Sequence, residues 1–170
     1  IVDGQKSGKG TGVNQFRGDF EDLEGISSFQ FMFYLEGEVY EYGFSLDRRQ
    51  VHEEWLMQLT EKDIEPLFTR VTDENGKTEI EIESRFARNK SKDRMLADVL
   101  KESIQESQKN QLFLYKLYDN GIKKAEKIVQ WFKNLQVIFP ETTVQALPIR
   151  MKADEDLRNY IARMLDKMDT

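Results

Sequence analysis

The sequence contains no cysteine. It can form no disulfide and offers no thiolate to a metal, which suits a reducing compartment; the expected location is the cytoplasm. It has a single histidine, His52, so a zinc site would have to rest on carboxylates. No run of 18 apolar residues occurs, so no spanning helix and no membrane partner are expected. The N-terminus, Ile1-Val2-Asp3-Gly4, has no signal-peptide pattern. An excess of positive charge is missing as well. Asp and Glu number 31 against 25 Lys and Arg, a net charge of -6, which disfavours nucleic acid as a partner of this segment. A starting methionine is absent too, and Thr170 follows directly on an amphipathic stretch. The sequence is therefore expected to be an internal piece of a longer protein.

What is present is enough apolar material for a core: 39% hydrophobic residues, with 11 Phe, 6 Tyr and 2 Trp. A chain of 170 residues fits one domain, or a sheet part and a helical part sharing a core. Phe29, Phe31, Phe33 and Leu35 alternate with Gln30, Met32 and Tyr34, the period of a strand with one buried face. Glu36-Gly37-Glu38 makes a turn, and Tyr40, Tyr42, Phe44 and Leu46 repeat the pattern. After Asp47-Arg48-Arg49, a third alternation sets Val51, Glu53, Trp55, Met57 and Leu59 against His52, Glu54, Leu56 and Gln58. Leu67 to Thr72 reads as a fourth strand. Asn75-Gly76 is a hairpin signal, since both residues tolerate positive φ. Thr78 to Glu83 returns with Ile80 and Ile82 inward and Glu79, Glu81 and Glu83 outward, as in an antiparallel sheet with one wet face.

The period then becomes helical. Ser91 is a plausible N-cap for a helix carrying Met95, Leu96, Val99, Leu100 and Ile104 on its apolar stripe. Gln105 to Asn110 reads as a break. Leu112 to Tyr118 reads as a short helix ended by Asn120-Gly121. Ile122, Ala125, Ile128, Val129, Phe132 and Leu135 mark a longer helix stopped by Pro140. Glu141 to Met151 reads as irregular or as a short strand, with Pro148 inside it. Asp154 can cap a last helix bearing Leu157, Tyr160, Ile161, Met164, Leu165 and Met168. The expected fold is α+β: an antiparallel meander of about five strands followed by about four helices. The expected organisation is a flexible lead-in over 1–25, a sheet over 26–84 and a helical part over 85–170.

Chemistry-bearing motifs are sparse. Gly4 to Gly12 invites comparison with a phosphate-binding loop. Its spacing is short by a residue, however, and Gly10 stands where Ser or Thr must ligate magnesium, so a flexible loop is expected. His52 reads as a strand-surface residue rather than a member of a triad. Glu53-Glu54, Glu79-Glu81-Glu83 and Asp154-Glu155-Asp156 could do acid–base work or hold magnesium, but structural roles suit them better. Arg85, Arg88, Lys90, Lys92 and Arg94 read as a solvated junction rather than a binding patch. Trp131 lies beside the stripe of its helix, where it can cover a neighbouring element or an interface. No residue is assigned a catalytic, cofactor-binding or metal-binding role.

One set of words carries a resemblance. Phe16-Arg17, a strand ending in Phe33, Tyr42-Gly43-Phe44, Glu54-Trp55-Leu56, Leu67-Phe68, Leu112-Phe113-Leu114, Trp131-Phe132 and Val137-Ile138-Phe139-Pro140 follow in that order. Over about residues 14 to 140 the chain resembles bacterial P-loop ATPases of the ABC/AAA-like group, the abortive-infection and overcoming-lysogenization-defect-like ATPases related to SMC-like proteins. Arg17-Gly18-Asp19 and the glycine-rich lead-in depart from that pattern. The resemblance implies that this segment lies between the phosphate-binding Walker A loop and the signature and Walker B motifs. ATP and magnesium would then belong to the parent protein, and none of that family's catalytic residues has a counterpart here. It implies, as partners, the remainder of the parent ATPase and a second copy in a homodimer, and a role in phage defence. The segment itself is expected not to hydrolyse ATP. The alternative is a self-contained module that binds a protein or peptide through its sheet face or the hairpin edge.

Overall fold

A computed structural model describes residues 10–12, 25–135 and 152–168. They fall into two compact units, one ending at Asn134 and one beginning at Leu135. In the first unit, β1 (Ser27–Leu35), β2 (Glu38–Leu46), β3 (Val51–Leu59), β4 (Ile64–Thr72) and β5 (Thr78–Ile82) form one antiparallel sheet in sequence order. Three helices follow, α1 (Lys92–Ser107), α2 (Phe113–Asp119) and α3 (Lys123–Asn134). The second unit contains α4 (Glu155–Met168), which begins directly after Asp154. Among the described residues the α+β meander with four helices is thus as the periodicities indicated. The Glu141–Met151 expectation, the Val137–Pro140 words and most of the glycine-rich lead-in lie outside the described residues.

The turns follow from their residues. Glu36 and Gly37 both take positive φ (53° and 90°), closing β1 onto β2 with Leu35 opposite Glu38. Two positive-φ residues make the tight connection whose twist matches the strands. In the β4–β5 hairpin only Gly76 is left-handed, at φ 75°, so Asn75 does not use the freedom expected of it. Asp73 closes that loop instead, donating its N–H to the Lys77 carbonyl and accepting from Lys77 N–H through its side chain.

One sheet face is dry. Phe33, Tyr42, Phe44, Leu56, Phe68, Ile80 and Ile82 are buried there, against Phe113, Leu114, Leu117, Ile128 and Val129 of the helices. Phe132 meets Phe31, Phe33 and Tyr42 at ring distances of 5.2 to 5.6 Å, and Trp131 stacks on Phe33 at 4.6 Å. Trp131 therefore covers a neighbouring strand. Ser91 caps α1 by accepting from Arg94 N–H, and Gly121 (φ 78°) ends α2 while its own N–H bonds the Tyr118 carbonyl.

Two expectations need correction. The buried stripe of α1 is Ala97, Leu100 and Ile104; Met95 and Val99 are more than half exposed. The side of the helix that meets β5 and α2 is the one carrying Ala97, Leu100 and Ile104. The simple alternation of β3 also breaks. The register shifts where Leu46 pairs with Val51 but Ser45 pairs with Glu53, leaving His52 as an extra residue. Beyond it Glu54 and Leu56 point inward, while Glu53 and Trp55 share the outer face. A second shift between Leu56 and Met57 leaves Leu67 unpaired on β4, and both Leu67 and Phe68 are buried there.

Candidate functional site

The most unusual chemistry lies inside the sheet–helix interface. Glu54 on β3 and Arg70 on β4 face each other across the register, and both side chains have zero solvent exposure. Glu54 accepts hydrogen bonds from the Tyr42 hydroxyl (3.0 Å) and from the backbone N–H groups of Phe113 (2.6 Å) and Leu114 (2.8 Å). Those are the first residues of α2, whose N-cap, Leu112, has no side chain able to serve. The four leading N–H groups of a helix have no partner within it. A carboxylate from a distant strand supplies the cap here and lies at the positive end of the helix dipole.

Arg70 does the complementary task. Its guanidinium donates to the carbonyls of Gln111 (2.5 Å) and Lys109 (2.9 Å), in the segment leading into α2. Its closest approach to Glu54 is 3.6 Å, an ion pair without a direct hydrogen bond. Burial raises the Glu54 pKa, against the opposing pull of Arg70, the two amides and Tyr42. Burial also lowers that of Arg70, and together with the Glu54 charge it holds the Tyr42 phenol firmly protonated. The cluster is buried, with Glu54, Arg70 and Tyr42 at 0%, 1% and 4% exposure. It ties β2, β3 and β4 to the start of α2. From the sequence Glu54 reads as half of a carboxylate pair and Arg70 only as a residue of the fourth strand. The available signal was a charged residue in phase with Leu56 on each of two adjacent strands.

The other candidates resolve locally. His52 Nε2 lies 2.9 Å from Asp47 Oδ2 beside the β2–β3 turn. Burial alone would raise the Asp47 pKa, but the N–H groups of Gln50 and Arg49 and the His52 ring outweigh it and hold that carboxyl low. Of the glycine-rich lead-in, Gly10 and Thr11 are fastened to the same turn. Thr11 N–H donates to the Arg48 carbonyl (3.1 Å), and Asn110 Nδ2 donates to the Gly10 carbonyl (3.1 Å). A Cβ on Gly10 would stand 2.6 Å from the Arg48 oxygen, and its φ is 76°, so glycine is required there. These groups border a shallow depression of about 360 Å³ lined also by Arg49, Glu106 and Lys109. Lys109 spends its ammonium on the Gly76 carbonyl.

The basic stretch is engaged within the fold at two places. Arg85 pairs with Glu65, and Arg94 pairs with Asp98 (3.1 Å) while donating to the Ile82 carbonyl. Glu79, Glu81 and Glu83 are exposed, as expected, and Glu79 pairs with Lys77. Among the described residues no group of three or more His, Cys, Asp or Glu is placed to hold a metal, and no helix is long and apolar enough to cross a membrane. No protein-family model, curated protein or solved structure matches the chain.

Proposed function

We propose that these residues form the interior of a P-loop ATPase of the ABC/AAA-like group. In this reading they couple the ATP-handling part of the parent to a partner or effector and do not handle ATP themselves. The supporting observation is that the words carrying the resemblance, where they fall among the described residues, meet in space. Tyr42 and the Phe113-Leu114 amides converge on Glu54. Gly43 sits opposite Trp55, Phe68 is edge-on to Phe113, and Phe132 closes over Tyr42. A family's shared sequence words are expected to line its common core, and this arrangement agrees with that. ATP and magnesium are assigned to the parent, as are the homodimer and the phage-defence role.

Two measurements test this. The melting temperature of the 170-residue chain is expected not to change with magnesium ATP, and a reproducible rise would overturn the coupling role. Reading the encoding gene about 100 codons past either end, a typical domain length, should reveal a Walker A sequence upstream and an apolar strand ending in Asp-Glu downstream. The second reading, a self-contained protein-binding module, is favoured by one observation: the outer sheet face is partly apolar and exposed. A start codon just before Ile1 supports that module over the ATPase.

A further inference from the structure

The face of the sheet turned away from α1–α3 has an unusual composition. The register brings Met32 and Tyr34 of β1, Trp55 and Met57 of β3 and Val71 of β4 to it, from three strands. Met32, Tyr34 and Val71 are 64%, 67% and 54% exposed. Trp55 lies flat across Gly43 on the neighbouring strand, so the middle of the face is a platform without a ridge. The same register places Glu41, Glu53, Glu79 and Glu81 on this face, and none of its strand positions carries Lys or Arg. Among the described residues the one ion pair at this face joins Lys77 to Glu79 at the hairpin.

A sheet with an apolar face buries it against another element. Five strands at about 4.8 Å spacing leave room for a helix about 10 Å across. The carboxylates of Glu53 and Glu81, which form no ion pair among the described residues, then select the sign of that helix. A second copy presenting the same face would bring like charges together, and an anionic membrane surface would be repelled. We propose that the outer face of β1–β4 docks an amphipathic helix of a partner protein whose apolar stripe is flanked by Lys or Arg. This surface keeps its chemistry whether or not the chain belongs to an ATPase, so failure of the gene or nucleotide test leaves it standing.

The test uses the full 170-residue chain, isotope-labelled, and two synthetic 18-residue helix-forming peptides. One has a leucine stripe flanked by lysines; the other has glutamates in place of the lysines. The Leu/Lys peptide is expected to shift the backbone amide signals of Met32, Tyr34, Trp55, Met57 and Val71. The Leu/Glu peptide should bind at least tenfold more weakly. Glu53 and Glu81 are exposed, so Glu53→Lys with Glu81→Lys should leave the fold intact and reverse that preference. Equal binding of both peptides, shifts mapped to another surface, or no binding by either overturns the proposal. So does concentration-dependent dimerisation abolished by Met32→Lys, which would assign the face to a second copy.

Discussion

Arg70→Met is expected to lower the unfolding free energy by about 3–5 kcal/mol, the usual consequence of removing one partner from a buried ion pair. For a chain of this size that is a fall in melting temperature on the order of 10 °C. The side chains are similar in volume, so the effect comes from charge and hydrogen bonding. Methionine leaves the Gln111 and Lys109 carbonyls without their donor and the Glu54 carboxylate buried without its counter-charge. Chemical denaturation of the two proteins, read by tryptophan fluorescence and by circular dichroism, measures the difference.

The double variant Glu54→Leu with Arg70→Met separates two accounts of the pair. Buried ion pairs in general can be exchanged for apolar residues at little cost. Here both charges also satisfy backbone groups: the Phe113 and Leu114 amides on one side, the Gln111 and Lys109 carbonyls on the other. The double variant is therefore expected to recover part of the loss but to stay at least about 2 kcal/mol below the parent, since orphaned buried groups cost about 1–3 kcal/mol each. Stability equal to the parent's would refute the capping role.

The pH dependence of the parent has a defined sign. Burial places the Glu54 pKa in the folded chain above its ordinary 4.5. The folded state then holds this proton to higher pH than the unfolded state does. The contribution of this group is fully present below 4.5 and declines as pH rises through the folded value. Without Arg70 the folded pKa rises further, so the loss of stability above pH 4.5 in Arg70→Met should continue to higher pH than in the parent.

The sheet was legible because most of its strands obey a strict period of two and its turns carry their own signals. Phe29 to Leu35 and Tyr40 to Leu46 need no tertiary information to be placed, and the helix starts and stops at Ser91 and Gly121 follow from capping alone. The Glu54–Arg70 cluster was not legible for a definite reason. A charge in phase with apolar residues contradicts the inward reading until its partner is known, and the partners of Glu54 lie on another strand and at a helix start far along the chain. The extra residue at His52 compounded this by reversing the apparent phase of β3 at its start. The α1 stripe failed differently: Met95 and Val99 fit the helical period as well as Ala97 does, and only contact with β5 and α2 decides which face is buried.

Gly43→Ala is the substitution whose sign depends most on a single neighbour. Gly43 is buried on β2 directly opposite Trp55, and an added Cβ would lie 2.2 Å from Cζ2 and 2.5 Å from Cε2 of the indole. Its φ is not in the left-handed region, so the backbone would accept any residue and the conflict is purely steric. Trp55 could yield only by leaving the platform and giving up the hydrogen bond from its Nε1 to Glu41 (2.9 Å). A loss of about 1–3 kcal/mol is expected, the usual range for overpacking. In a Trp55→Leu background the obstacle is gone. Gly43→Ala should then be neutral or stabilising by up to about 1 kcal/mol, because glycine costs more backbone entropy than alanine in a strand. The quantity to measure is the coupling between the two sites in a double-mutant cycle. A coupling indistinguishable from zero would mean that the indole does not rest on Gly43, and the flat outer platform would lose its support with it.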